Sequence, residues 1–118
     1  MKEDQRLEII SLFRPKNANG TRRTGGGVSI IYNPAKIRLK EYKINNRKLE
    51  ILATIATIPN VKRKILIIGA YLPPNLTSNQ RKTAFNVIND TVMRAKTEMD
   101  GPQIIIGGDF NKHGVDGI

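Results

Sequence analysis

The residues best able to do chemistry lie late in the chain, in Ile104-Ile105-Ile106-Gly107-Gly108-Asp109-Phe110-Asn111. Asp109 and Asn111 are two positions apart, so in extended backbone they share one face while Phe110 points back to the core. The two glycines let another backbone or a substrate approach closely. A carboxylate can coordinate a hard cation or accept a proton, and an amide can orient a water without titrating. At the carboxyl end of a buried strand, such a pair sits where open α/β sheets bind ligands. The same pair also suits a strand-to-loop turn, where Asp and Asn bond their own backbone. On these residues alone the turn is the commoner meaning. A second group is Tyr71, which ends the apolar run Ile65–Tyr71 just before Pro73-Pro74. A phenol there can donate to a phosphate oxygen, or it can simply close the core with its hydroxyl in water. His113 is the one histidine, and a lone loop histidine is more often solvated than catalytic.

The elements that must position these groups are legible from apolar spacing and breakers. Residues 28–32 read as a strand, led by Gly25-Gly26-Gly27 and closed by Asn33-Pro34. Residues 36–44 form the next strand, and the change of apolar phase between Leu39 and Tyr42 predicts a bulge. Asn45-Asn46 suits the positive φ of a tight hairpin turn. Residues 48–58 then return antiparallel to 36–44. Residues 65–71 and 103–106 do not alternate, which predicts strands buried on both faces. Between them, residues 79–99 carry Phe85, Ile88, Val92, Ala95 and Met99 as a helical stripe. Thr77 and Gln80 have the form of a capping box, and Asp100-Gly101-Pro102 is a helix stop. As a crossover, that helix makes the two apolar strands parallel neighbours. The earlier strands are expected to extend the same sheet. The result is an α/β fold: a mixed sheet with at least one covering helix and a second covering layer not obviously supplied.

Composition bounds the chemistry. The chain has 118 residues, enough for one domain, with 20 Lys+Arg against 10 Asp+Glu and a formal charge of +10. The absence of cysteine excludes disulfides, thiol nucleophiles and Cys-ligated metal sites. A single histidine excludes a two-histidine metal site within one chain. The positive charge favours a polyanion as partner, with anionic membrane surface second. Each small cluster (Arg22-Arg23, Lys62-Arg63-Lys64, Arg81-Lys82) is also compatible with a plain solvated surface. No apolar run approaches the roughly 18 residues of a membrane span, and residues 1–10 contain no secretory signal region. A cytoplasmic or nuclear setting is therefore expected. Oligomeric state is not indicated.

The ordered set is more informative than its parts. A glycine-led strand (Gly25-Gly26-Gly27-Val28-Ser29-Ile30), a strand-end Tyr71-Leu72-Pro73, an amphipathic helix and a strand running into Gly108-Asp109-Phe110-Asn111 resemble the endonuclease/exonuclease/phosphatase superfamily. Within it, the chain looks like the endonuclease domains of non-LTR (LINE-type) retrotransposons, which resemble apurinic/apyrimidinic endonucleases. Leu12-Phe13-Arg14-Pro15 and the Arg22-Arg23 region are compatible with that subgroup, as is His113 after Asn111. The resemblance covers about residues 12–113. It implies a partial four-layer α/β-sandwich, with 1–24 a variable N-terminal segment and 25–113 a motif-bearing core.

It also implies Mg²⁺-dependent hydrolysis of a phosphodiester in nucleic acid, DNA above all, in a protein associated with a reverse transcriptase. By the resemblance, Asp109 positions or activates the attacking water and shares in metal binding with Asn111. Asn111 orients that water or the phosphate, and Tyr71 hydrogen-bonds the scissile phosphate. Arg22, Arg23 and Arg81 would track the nucleic-acid backbone. The family's early Asn and metal-ligating Glu, and its late Asp and Asp-His motifs, have no match here. The expectation is an internal slice of the larger domain with little or no turnover. Two alternatives stand beside it: a non-catalytic basic nucleic-acid-binding module, and a family member acting on a phosphoinositide or sphingolipid headgroup.

Overall fold

The structure, a computed structural model, describes residues 6–12, 27–46 and 48–111. In chain order the elements are β1 (Glu8–Leu12), β2 (Val28–Tyr32), β3 (Arg38–Glu41), β4 (Glu50–Thr57), β5 (Ile65–Tyr71), α1 (Ser78–Glu98) and β6 (Gln103–Asp109). They form a mixed sheet in the order β3-β4-β5-β6 and a separate two-stranded sheet, β1-β2. The fold is α/β, as the apolar pattern implied. β3, β4 and β5 pair antiparallel in turn, and β5 and β6 pair parallel across the α1 crossover.

Alternation along the central strands sorts the core into two faces. Ile51 and Ala53 of β4, with Leu66, Ile68 and Ala70 of β5 and the following Leu72, pack under Ala84, Ile88 and Ala95 of α1. Leu52, Thr54 and Ala56 alternate with those β4 residues and are buried on the opposite face. That face meets the two-stranded sheet, whose strands touch β4 and β5. Gly69 makes the approach possible: a Cβ there would stand 2.8 Å from a methyl of Val28. Among the described residues the layers are therefore helix, sheet, sheet.

α1 begins and ends where its residues dictate. Thr77 is the N-cap, its hydroxyl accepting from the Gln80 N–H while the Gln80 side chain accepts from the Thr77 N–H. The buried positions are Ala84, Ile88, Thr91 and Ala95. This turns the stripe slightly from the expected one, leaving Phe85 half exposed at its margin. Arg94 ties the far end of the helix to the β3–β4 connection. Its guanidinium lies 4.2 Å over the Tyr42 ring and donates to the Lys43 carbonyl, while the Tyr42 hydroxyl donates to Glu98. Burial, reinforced by that bond to Glu98, holds the Tyr42 hydroxyl above its usual value of 10.

Several expectations are corrected. β2 does not extend the main sheet but pairs antiparallel with β1, from Glu8↔Tyr32 to Leu12↔Val28. Part of a second covering layer is thus supplied by the region read as a variable N-terminal segment. β3 carries no bulge: its register runs unbroken from Arg38↔Thr57 to Glu41↔Thr54, and the Tyr42 N–H continues it onto the Ala53 carbonyl at 2.8 Å. Leu39 and Tyr42 simply lie on opposite faces. Asn45 and Asn46 form no tight positive-φ turn; Asn60, between β4 and β5, takes that conformation with φ 67°. β4 is buried on both faces and β5 fully only beneath α1, its other face being half-buried against β2, whereas β6 lies at the sheet edge with Ile105 and Ile106 exposed. No helix among the described residues is long and apolar enough to cross a membrane.

Candidate active site

Register, rather than sequence proximity, assembles the site. Glu50, Tyr71 and Asp109 are successive cross-strand partners on β4, β5 and β6. Cross-strand partners share a face, and strands lie about 4.8 Å apart, so the row spans about 10 Å. It crosses the sheet at the carboxyl ends of the parallel pair β5 and β6, on the face away from α1. The ladder runs one step further, the Leu72 N–H donating to the Asp109 carbonyl at 2.8 Å. A groove of about 400 Å³ opens along this face, lined among others by Gly69, Gly107, Ile105, Tyr71 and Asp109.

Beyond Asp109 the chain turns sharply. Asn111 has a positive φ of 42°, a conformation Asn tolerates better than most residues. Its N–H donates to Asp109 Oδ1 at 3.1 Å, and its side-chain Nδ2 donates to the Leu72 carbonyl at 3.0 Å. Asp109 and Asn111 are therefore brought together by a turn, not by the shared face of an extended strand. Phe110 packs back against the core as expected. Gly108 is required beside them: its φ is +143°, and a Cβ there would lie 1.9 Å from the Ala70 carbonyl oxygen. The turn, one of the two meanings open in the sequence, is the conformation these residues adopt.

The remaining expected residues divide sharply. Tyr71 is half-buried in the row, beside Asp109. Arg81 is half-buried too, with its guanidinium donating from Nη1 to the Phe110 carbonyl at 2.6 Å and from Nη2 to the Asn111 carbonyl at 2.5 Å. Arg22, Arg23 and His113 lie outside the described residues. Two residues of the site escaped the sequence reading. Glu50 is 8% exposed and its Oε1 accepts from the Gly27 N–H at 2.9 Å, tying the entry of β2 to the row. Its only signal was an acid heading the apolar run Ile51-Leu52-Ala53. Phe85 stacks on Phe110, with centroids 6.0 Å apart and rings 21° from parallel.

Among the described residues, no three His, Cys, Asp or Glu side chains gather into a metal-holding cluster. Asp109 and the Asn111 side chain supply hard oxygen donors of the kind Mg²⁺ takes. That ion is commonly held by one or two carboxylates, with waters and substrate phosphates completing its shell.

No protein-family model matches the chain, and no curated protein does. Solved structures do. The chain is similar to a functionally unknown conserved protein from Enterococcus faecalis V583, at 15% identity and a TM-score of 0.61, over 89% of this chain and 44% of that one. It is also similar to the endonuclease domain of TRAS1, a telomere-specific non-LTR retrotransposon, at 14% identity and a TM-score of 0.52, over 89% of this chain and 41% of that one. At such identities the likeness is one of fold. The chain spans less than half the length of each of these structures.

Proposed function

We propose that this chain carries the phosphate-handling side of a metal-dependent nuclease site, acting on the phosphodiester backbone of nucleic acid, DNA in the first place. One observation carries the reading: Tyr71 and Asp109 stand side by side at the carboxyl edge of a parallel strand pair, with Asn111 braced next to them. The fold shared with a retrotransposon endonuclease domain supports it. The Tyr71 hydroxyl is suited to donate to a non-bridging phosphate oxygen. The Asp109 carboxylate is suited to accept a proton from an attacking water. Asp109 and the Asn111 side-chain oxygen are the groups that would hold Mg²⁺, which when bound offsets the charge of the phosphate. The formal charge of +10 adds a sequence-independent attraction for the polymer.

That charge also favours the second reading, a basic module that binds nucleic acid without cleaving it. The two differ in where the polymer lies and whether Mg²⁺ matters. Backbone amide shifts of the 118-residue chain, titrated with a short DNA duplex in Mg²⁺, are expected to move at Tyr71 and over residues 107–111, and much less in EDTA. Shifts confined to Lys62, Arg63 and Lys64, at the other end of β5, and equal in Mg²⁺ and EDTA, would reject the nuclease reading in favour of the basic module.

A further inference from the structure

We infer that Arg81 is a positioning residue, which with Phe85 sets the conformation of the Asp109–Asn111 turn from α1 and makes no phosphate contact of its own. This role rests on the nuclease reading for its purpose but on independent geometry for its existence. A guanidinium is a rigid fork with five donors, matched to two acceptors at fixed spacing. Here two of its nitrogens, Nη1 and Nη2, are engaged by the consecutive carbonyls of Phe110 and Asn111. Phe85, one helical turn further on and so on the same side of α1, stacks on the Phe110 ring. The helix therefore grips the turn at two points, one polar and one apolar.

The grip reaches the carboxylate through a short chain of bonds. Arg81 fixes the Asn111 peptide, and the Asn111 N–H in turn engages Asp109 Oδ1. The Asn111 amide is anchored on Leu72 at the same time. β6 has little core packing to hold its end in place, since five of its residues in succession, from Ile105 to Asp109, are exposed. Lysine offers one compact charge without the fork and cannot reproduce two directed bonds of fixed separation.

The test compares Arg81→Lys and Arg81→Met with the unaltered chain, alone and with a short DNA duplex in Mg²⁺. In the free chain, both variants are expected to shift the Phe110 and Asn111 amide resonances and to speed hydrogen exchange over 109–111. The amides of β4 should stay protected. With the duplex, both should weaken the Mg²⁺-dependent part of binding, and the dependence of log affinity on log salt should keep its slope. A phosphate-contacting arginine gives the opposite pattern. Its replacement by Met lowers that slope by about one, its replacement by Lys preserves binding, and the Asn111 resonance does not move. That pattern overturns the inference, as does an Arg81→Lys chain with the original Asn111 resonance. If the duplex does not bind at all, the nuclease reading fails, and the free-chain resonances still decide what Arg81 does.

Discussion

β5 and β6 are parallel neighbours built from the same material, and they have opposite fates. Ile68 and Ile106 are register partners on the same face of the sheet. Ile68 is 1% exposed beneath α1, and Ile106 is 44% exposed. The difference comes from position, since β5 has strands on both sides and the helix above it, whereas β6 is at the edge. Packing therefore holds β5 in place. β6 is held by its ladder to β5 and, at its carboxyl end, by polar bonds from Leu72, Asn111 and Arg81. Tyr71 ends the first kind of scaffold, and Asp109 and Asn111 sit on the second. The placement of Asp109 and Asn111 depends on hydrogen bonds and one ring stack more than on buried area.

The larger loss is expected on β5. Ile68→Ala removes buried methyl groups from the densest part of the core, and a loss of about 2–5 kcal/mol is expected in chemical denaturation. A loss near zero would show that β5 is not the anchor. Gly108→Ala attacks the other side. The added Cβ meets the Ala70 carbonyl, and a positive φ disfavours any side chain. The positive φ alone costs on the order of 1–3 kcal/mol, the overlap with the backbone carbonyl adds to it, and hydrogen exchange should rise over β6 and residues 109–111 first. Uniform loss of protection through β4 and α1 would mean the two regions are not separable. The smallest effect sharpens the contrast: Ile106→Ser, at the register partner of Ile68, is expected to change stability by no more than about 0.5 kcal/mol. A cost comparable with that of Ile68→Ala would place β6 in the core after all.

The sequence made one half of this picture legible and concealed the other. Local grammar survived intact: the Thr77–Gln80 capping box and the limits of β2 follow from residues close together in the chain, and the parallel pairing of β5 with β6 follows from the helix that joins them. What depended on distant partners did not. β1 is short, its Ile9 is 61% exposed, and it becomes a strand only through pairing with β2. β6 reads as a buried strand because three isoleucines in a row carry no information about which neighbours cover them. Glu50 joins the site by register alone, and the phase change in β3 marks a change of face that a bulge would mimic. Arg81 illustrates the same limit at the site. Its guanidinium engages two carbonyls brought near only by the crossover, partners that its place in the chain does not reveal.

In the proposed reading Asp109, beside Tyr71, would handle a phosphodiester with the help of Mg²⁺. The direct measurement is DNA-duplex affinity of the 118-residue chain and of Asp109→Ala, each with Mg²⁺ and with EDTA at constant ionic strength. The carboxylate repels a phosphate when alone and helps to hold it when shared with a cation. A gain on adding Mg²⁺, on the order of tenfold for one screened charge interaction at close range, is therefore expected for the unaltered chain. Asp109→Ala should bind equally in both conditions. Equal affinity of the unaltered chain with and without Mg²⁺, or a Mg²⁺ gain that survives Asp109→Ala, would contradict the assignment.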